Sequence, residues 1–191
     1  MKKIGVISDI HGNLQALESI LEDIESRDLY EVICLGDTIA IGPNPRECLE
    51  LILDNNIKLV LGNHEEYFIE GAKKFVEVGV NERAHQKWVS SQMSEDLRLK
   101  LKDKPFIVKE EINGLSYAFM HYARKNDKFI YTNEERNIKK LNQMFSNVDT
   151  DVVFYGHEHD LEQTKVVGDR TYICVGSSGC RKDRNTYYTI L

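Results

Sequence analysis

The sequence has no apolar run long enough to cross a membrane, no Cys-x-x-Cys pair and no excess of basic residues. A membrane span needs about 18 consecutive apolar residues, so we expect no membrane association. Binding to a nucleic-acid duplex depends on many Lys and Arg contacts with phosphates. The formal net charge of −6 therefore argues against a duplex as a stable partner. A composition of 41% hydrophobic and 29% charged residues is ordinary for a soluble globular protein.

The four cysteines are dispersed along the chain. Cys34 and Cys174 lie in strand-like apolar runs and Cys48 lies in a helical pattern, where cysteine usually behaves as a small apolar residue. We therefore expect reduced thiols and a cytoplasmic protein. Any metal centre should then have nitrogen and oxygen ligands.

No internal repeat, low-complexity stretch or linker divides the chain, so its 191 residues predict a single domain, 1–191. In residues 4–61, three apolar runs alternate with two stretches that carry apolar residues at helical spacing. This β-α-β-α-β order implies parallel strands joined by right-handed crossovers. Residues 65–104 are charged and helical in pattern, so we expect a cap-like segment that either covers a site or serves as scaffold.

The second half of the chain predicts a second sheet. Strand-like segments at 106–110 and 115–120 flank Asn113-Gly114, a pair that strongly favours a tight hairpin turn. A second hairpin is expected around residues 168–169. The other expected elements are a helix at 134–145 and strands near 152–155, 172–175 and 187–190. The predicted fold is α/β, with two packed mixed β-sheets flanked by helices.

Five apolar runs each end in residues that can bind a metal ion. In chain order these residues are Asp9 with His11, Asp37, Asn63 with His64, His121, and His157 with His159. In open α/β sheets, binding sites collect beyond the carboxyl ends of the strands. Nitrogen and oxygen ligands at five strand ends therefore predict a metal centre, with two ions as the expected arrangement.

The spacing within two of these motifs favours metal binding. Asp9 and His11, like His157 and His159, are two residues apart, so both side chains of each pair point the same way in an extended segment. Asp37 is the natural bridge, because one carboxylate can bind two ions about 3.5–4 Å apart. An Asp after a strand is also a common turn former, and that alternative stays open here.

His64 is the candidate catalytic residue rather than a ligand. Its neighbour Asn63 offers a carbonyl oxygen to a metal, and two adjacent side chains cannot easily point the same way. A histidine beside the ions can protonate a leaving oxygen, because its ordinary pKa lies near neutrality. His121 has the alternative interpretation of a buried structural histidine, and His85 is expected to be structural or exposed.

Two basic clusters lie near the predicted strand ends. One includes Arg124, shortly after His121, and the other includes Arg181, after the last Gly-rich loop. We expect both arginines to bind an anionic substrate together with Asn63 and His64. A solvated, ion-paired surface is the alternative for each cluster.

The order D-x-H, G-D, G-N-H, H, G-H-x-H resembles the calcineurin-like metallophosphoesterase superfamily over almost the whole chain. The likeness is to small bacterial and archaeal phosphodiesterase-type members, because Gly36-Asp37 continues into the sequence IGPNP at 41–45. The resemblance implies a catalytic role for His64. It also implies one ion held by Asp9, His11, Asp37 and His159, and another held by Asp37, Asn63, His121 and His157.

Two departures from the family pattern affect the expected substrate. Tyr122 follows His121 where many relatives have Gly, which would narrow the pocket. The segment after Asp37 lacks the Asp-Arg-Gly of protein phosphatases, which weakens the interpretation as a phosphoprotein phosphatase.

The expected activity is hydrolysis of phosphodiesters or nucleotide-type substrates by a hydroxide that bridges two divalent ions, with His64 protonating the leaving alkoxide. Manganese, iron, zinc and nickel all suit mixed nitrogen and oxygen ligands, and manganese is favoured. One alternative is a nuclease or dinucleoside polyphosphate hydrolase with the same centre. Another is a non-catalytic protein-binding scaffold, which the complete set of candidate ligands disfavours. A homo-oligomer is possible.

Overall fold

A computed structural model describes residues 3–131 and 138–191. The strands are β1 (Ile4–Ile7), β2 (Glu31–Cys34), β3 (Lys58–Leu59), β4 (Ile107–Ile112), β5 (Leu115–Met120), β6 (Arg124–Lys125), β7 (Lys128–Phe129), β8 (Val152–Tyr155), β9 (Glu162–Val167), β10 (Arg170–Val175) and β11 (Thr189–Ile190). The α-helices are α1 (Leu14–Glu25), α2 (Pro45–Asp54), α3 (Asn63–Glu70), α4 (Val80–Gln92), α5 (Glu95–Lys102) and α6 (Ile138–Met144), and a short 3-10 helix lies at Ala72–Lys74.

The first sheet has the strand order β11-β1-β2-β3. Its strands β1, β2 and β3 are parallel, as the alternating pattern predicted, and β11 pairs antiparallel with β1. Successive strand residues face opposite sides: Ile33 packs toward the second sheet, whereas Cys34 packs toward the helices. Leu17 of α1 and Leu49 of α2 belong to that helix-side core.

The second sheet has the strand order β4-β5-β8-β10-β9. Its face toward the first sheet includes Phe119 and Phe154, which stack with ring centroids 5.1 Å apart. On its outer face, Tyr155 belongs to one apolar cluster with Leu141 and Met144 of α6 and with Phe145, which directly follows that helix. The two sheets therefore share one apolar interface and are each covered by helices on the outside, which confirms the predicted α/β class with two packed mixed sheets.

The tight turns occur where the sequence predicted them. Asn113 and Gly114 connect β4 to β5 with φ values of +53° and +81°, and a two-residue hairpin turn of this kind needs positive φ at both positions. The hairpin at 168–169 joins β9 to β10. The last strand is shorter than predicted, with only Thr189–Ile190 paired to β1. Of the helix predicted at 134–145, residues 134–137 lie outside the described residues.

The segment 65–104 contains most of α3, the 3-10 helix, α4 and α5. Helix α3 contacts both α4 and α5, and α4 also contacts α2. Within the described ranges, none of the helices combines the length and apolar character that a bilayer crossing requires.

Loops at the carboxyl ends of five strands lie together at one edge of the two sheets. The amide of Asp9 donates to Gly36 O at 3.0 Å, and the amide of Gly156 donates to His121 O at 2.8 Å. The amide of Ser178 donates to Ser8 O at 2.8 Å and joins the loop after β10 to the loop after β1. This edge is where the predicted site residues collect.

Candidate metal centre

Four of the candidate ligands have a backbone conformation that non-glycine residues rarely adopt. Their φ values are positive, at +53° for Asp9, +51° for His11, +52° for Asp37 and +70° for His157. Each such residue costs about 1–3 kcal/mol and persists only where the surroundings hold it in place. Strain of this kind concentrates at functional sites, so its occurrence at four strand-end residues marks this edge as one.

The first cluster consists of Asp9, His11 and His159. The Nε2 atoms of the two histidines lie 2.8 Å apart, and Asp9 Oδ1 lies 3.6 Å from His11 Nε2 and 3.2 Å from His159 Nε2. Asp9 Oδ2 accepts hydrogen bonds from Ser8 Oγ and from the amide of His157. Asp9 Oδ1 is buried and accepts no hydrogen bond from the described part of the chain, which leaves it directed at the two imidazoles.

The second cluster consists of Asp37, Asn63, His121 and His157. Asn63 Oδ1 lies 3.1 Å from both His121 Nε2 and His157 Nδ1, and Asp37 Oδ2 lies 3.2 Å from His121 Nε2. His121 Nδ1 donates to Leu35 O at 3.0 Å. That bond leaves Nε2 as the ring nitrogen that faces the cluster, which is how ligating histidines are commonly oriented.

Asp37 joins the two clusters. Its Oδ2 atom lies 3.8 Å from His11 Nε2 on the first side and 3.2 Å from His121 Nε2 on the second. Its Oδ1 atom accepts a hydrogen bond of 2.9 Å from the amide of His64. Asp37 belongs to two of the groups of three residues, among those described, whose side chains are close enough to hold an ion. These groups are Asp9-His11-His159, His11-Asp37-His64 and Asp37-His121-His157.

The clusters contain the donor set expected for a metal. Two imidazole nitrogens that face each other at 2.8 Å cannot both keep a proton between them, and a buried carboxylate oxygen without a hydrogen bond is costly. A cation placed among these atoms would satisfy all three. The residues present therefore fit a divalent ion with mixed nitrogen and oxygen ligands.

Two glycines permit the close approach of the loops. A Cβ at Gly62 would overlap Asp37 Oδ1, and a Cβ at Gly156 would overlap Ser8 Oγ. The G-N-H and G-H-x-H motifs consequently need glycine for steric reasons as well as for their position after a strand.

The carboxylates control the protonation of two histidines. Burial by itself would raise the pKa values of Asp9 and Asp37, but the positive charge of His121 and neighbouring hydrogen bonds outweigh it and lower both. Burial likewise opposes the charge on His121, yet Asp37 and Asp9 raise its pKa to about 9. For His159, burial alone would lower the pKa, but the carboxylate of Asp9 outweighs it and raises the pKa to about 10. In the metal-free protein, protonated His121 and His159 therefore supply the positive charge that faces the two carboxylates.

His64 and His157 behave in the opposite way. Burial is the main cause that lowers the pKa of His64 to about 4, and burial with repulsion from His121 lowers that of His157 to about 4. His64 Nε2 lies 3.9 Å from Asp37 Oδ2, and its ring lies 5.2 Å from that of His11. Asn63 thus faces the second cluster, whereas its neighbour His64 lies beside His11 of the first cluster.

Glu65 is a residue of this site that the sequence analysis missed. Its carboxylate is fully buried and accepts amide hydrogen bonds of 2.7 Å from Asp37, 2.8 Å from Thr38 and 2.9 Å from Gly62. Burial and the charge of Asp37 raise its pKa. Glu65 therefore fastens the loop after β2 to the start of α3. A Glu three residues after the helix N-cap is a known capping signal, and it was available in the sequence.

The two predicted substrate-binding arginines contact acidic residues of their own chain. The guanidinium of Arg124 lies 3.5 Å from the ring centroid of Phe106 and donates to Glu66 at 3.1 Å. Arg181 pairs with Glu162 and with Asp183. A role for either arginine in substrate binding stays a prediction. His85, expected to be structural or exposed, accepts a hydrogen bond of 2.7 Å from the amide of Ile41.

Comparisons with known proteins extend over the whole chain. The family described as "Calcineurin-like phosphoesterase superfamily domain" matches residues 1–191. An uncharacterized protein of Methanocaldococcus jannaschii is 31% identical over 159 residues, which are 82% of this chain and 62% of that protein. A symmetrical bis(5'-nucleosyl)-tetraphosphatase of Baumannia cicadellinicola is 39% identical over 66 residues, 33% of this chain and 23% of the relative. The chain thus spans less than two thirds of the length of both relatives.

Solved structures are also similar over all of this chain. They include a metallophosphoesterase from Sphaerobacter thermophilus, with a TM-score of 0.72 and 25% identity, and the match covers 83% of that structure. This chain therefore has the same overall fold as that metallophosphoesterase.

Proposed function

This chain belongs to the calcineurin-like phosphoesterase superfamily, and from that premise we propose that it hydrolyses phosphate esters of the phosphodiester or nucleotide class. The hydrolysis depends on two divalent metal ions. The two clusters that share Asp37 are the observation that carries this proposal, because a shared carboxylate is the arrangement that holds two ions side by side.

The proposed ligands follow the two clusters. Asp9, His11, Asp37 and His159 would hold one ion, and Asp37, Asn63, His121 and His157 would hold the other. Two divalent ions would supply positive charge to the oxygens of a phosphate and would lower the pKa of a coordinated water. Manganese is the favoured metal, with iron, zinc and nickel compatible with the same ligands.

His64 is the proposed catalytic residue of the chain itself. Its Nε2 atom faces Asp37 from outside the second cluster, where a phosphate bound across the centre would present its leaving group. Donation from Nε2 to the oxygen whose bond to phosphorus breaks would stabilise the negative charge that develops there. The attacking water supplies the oxygen that replaces the leaving group on phosphorus, and the proton that this water loses balances the one with which the leaving group departs as an alcohol.

The dinucleoside polyphosphate class is the second candidate. It is supported by the 39% identity to a symmetrical bis(5'-nucleosyl)-tetraphosphatase, although that match covers 33% of this chain. The aromatic residues considered for stacking on bases are Tyr67, Phe68, Trp88 and Tyr122. A nuclease has weaker support, because three of these four residues are at most 5% exposed and only Trp88, at 38%, is open to solvent. The scaffold alternative is disfavoured because the candidate ligands are all present and already close together.

A substrate panel with measured metal content tests the proposal. Purified protein would be supplied with manganese and assayed on phosphomonoesters, phosphodiesters, dinucleoside polyphosphates, cyclic nucleotides and single-stranded DNA, with chelator-treated protein as the control. We expect about two ions per chain and turnover that a chelator removes. Fully loaded protein that leaves every substrate intact would instead favour the scaffold. Turnover of DNA alone, falling steeply with salt, would favour the nuclease.

A further inference from the structure

Helix α4 places a buried glutamine against the catalytic candidate. Gln86 is 2% exposed, and its Nε2 atom lies 2.6 Å from Nδ1 of His64. Nδ1 is the ring nitrogen on the far side of the imidazole from the metal clusters. The contact joins α4, in the middle of the segment 65–104, to the first turn of α3.

Glu82 determines which end of the Gln86 amide faces His64. It lies one turn earlier on α4, and its Oε1 atom accepts a hydrogen bond of 2.8 Å from the same Gln86 Nε2. A carboxylate has only acceptors, so the amide must present its NH2 group to Glu82. With the amide reversed, two acceptor oxygens would face each other at 2.8 Å.

The orientation of the amide determines the position of the imidazole proton. The NH2 group of Gln86 has two hydrogens, one for Glu82 and one for His64. Nδ1 of His64 must therefore be an acceptor, and a neutral imidazole with an accepting Nδ1 has its proton on Nε2. That Nε2–H is the one on the side of Asp37, 3.9 Å from its Oδ2 atom.

The arrangement has a cost. Gln86 Oε1 is buried and has no hydrogen-bond partner within the part of the chain that the structure describes. An unsatisfied buried acceptor destabilises a protein by about 1–3 kcal/mol, and a leucine at this position would avoid the cost. A buried polar group that is not fully satisfied calls for an explanation beyond packing.

We propose that Gln86 is a positioning residue for His64, which it holds as the Nε2–H tautomer directed at the metal centre, and that Glu82 sets the orientation of the Gln86 amide. The tautomer is a property of the chain alone. The use of that N–H, as a hydrogen-bond donor to the leaving oxygen of a phosphate ester, rests on the proposed function.

The tautomer is measurable without any catalysis. Nitrogen NMR of metal-free protein with labelled imidazoles distinguishes protonated from unprotonated ring nitrogens. We expect His64 in the natural chain to show an unprotonated Nδ1 and a protonated Nε2. In the double variant Glu82→Gln with Gln86→Glu, the positions of the carboxylate and the amide are exchanged. In the natural chain the carboxylate of Glu82 lies 3.5 Å from His64 Nδ1, beyond the distance of a good hydrogen bond. The exchange brings a carboxylate to the nearer position, 2.6 Å from Nδ1, so we expect Nδ1 to become protonated. Gln92→Glu, at the exposed end of the same helix, is the matched control and should leave His64 unchanged.

Kinetics on two esters then test the use of the N–H. Gln86→Leu should lower kcat about 10- to 100-fold, the range for losing a residue that orients a functional group, on an ester with a poor leaving group. The loss should be much smaller on a nitrophenyl ester, whose leaving oxygen needs little stabilisation. KM and metal content should stay unchanged. The double variant should show the same dependence on the leaving group, which guards against a folding defect in Gln86→Leu alone.

The outcomes separate the two proposals. An unprotonated Nδ1 that persists in the double variant would overturn the role of Gln86, and so would an equal loss of kcat on both esters. If the natural protein hydrolyses none of the esters, the proposed function fails, while the NMR result still decides the tautomer. A proton on Nδ1 of His64 in the natural chain would overturn the inference directly.

Discussion

At the amino ends of the strands, charged side chains lie at the surface, whereas at the carboxyl ends they are buried against one another. Lys58, at the start of β3, forms ion pairs of 2.6 Å with Glu31 and with Glu110, and its side chain is 45% exposed. The side chain of Asp9, at the other end of the same sheet, is 0% exposed and faces two imidazoles.

The difference shows what each set of charges contributes. Exposed ion pairs stabilise a protein by about 0–1 kcal/mol, and the three residues that form them, Lys58, Glu31 and Glu110, are not among those with positive φ. Buried charges carry a desolvation cost that their mutual attraction often fails to recover, and here they also occupy strained backbone positions. The amino ends therefore belong to ordinary surface, and the carboxyl ends hold charge at the expense of stability.

The largest expected effect is at the carboxylate shared by the two clusters. Asp37→Asn removes the negative charge that both clusters face, so metal content should fall and kcat/KM should drop more than about 100-fold, beyond the range for residues that only support a ligand. Asp151→Asn, at the amino end of β8, is the matched control. Metal analysis and steady-state kinetics on both variants check this. Equal activity of the two variants would mean that a carboxylate at the carboxyl ends of the strands matters no more than one at the amino ends.

Glu65→Ala should cause the next largest change. It leaves buried amides of Asp37, Thr38 and Gly62 without their acceptor, at a cost of about 3 kcal/mol or more in the free energy of unfolding. Metal affinity should weaken as well, because the loop that carries Asp37 loses its anchor. Urea unfolding and metal titration measure both, with Glu70→Ala on the exposed side of the same helix as control, expected below about 1 kcal/mol. An unfolding free energy equal to that of the control would mean that the loop is held by other contacts.

The stability of the metal-free protein should depend on pH in both directions around neutrality. The pKa values of His121 and His159, raised to about 9 and about 10, give stability that is complete below an unfolded pKa near 6.5 and is lost as the pH rises through 9 and 10. The pKa values of His64 and His157 are lowered to about 4. The unfolded chain therefore binds protons at these residues before the folded chain does, and stability falls as the pH drops from about 6.5 toward 4.

Denaturant unfolding of chelator-treated protein at a series of pH values should therefore show greatest stability near pH 6.5, by the histidine contributions. Saturating metal should remove the loss on the alkaline side, because ions displace the protons of His121 and His159. Stability that keeps rising from neutrality to pH 9 in the metal-free protein would contradict the predicted protonation of these two imidazoles.

The smallest effect is expected at the amino ends. Lys58→Met removes both ion pairs with Glu31 and Glu110, and we expect the free energy of unfolding to change by less than about 1 kcal/mol because Lys58 is exposed. Activity and metal content should not change. A loss of several kcal/mol on urea unfolding would show that charge at this end also holds the two sheets together.

Most of the strand-end residues could be predicted because each follows an apolar run in the sequence, and a parallel sheet gathers such ends at one edge. Asp9, Asp37 and His121 are examples. Glu65 could have been found from its position in the first turn of α3. Gln86 could not, because its contact with His64 depends on how α4 packs against α3, and the sequence pattern of the segment 65–104 does not determine that packing.

The pairing of β11 with β1 gives the centre a particular assembly order. Leu191 and Ile4 exchange backbone hydrogen bonds of 3.0 and 2.9 Å, so the strand that delivers Asp9 and His11 is completed by residues far away in the sequence. Contacts between such distant residues form slowly, because a long loop must close first. Ion capture should accordingly follow the pairing of β11 with β1, and metal uptake during refolding should report a late stage of folding rather than an early one.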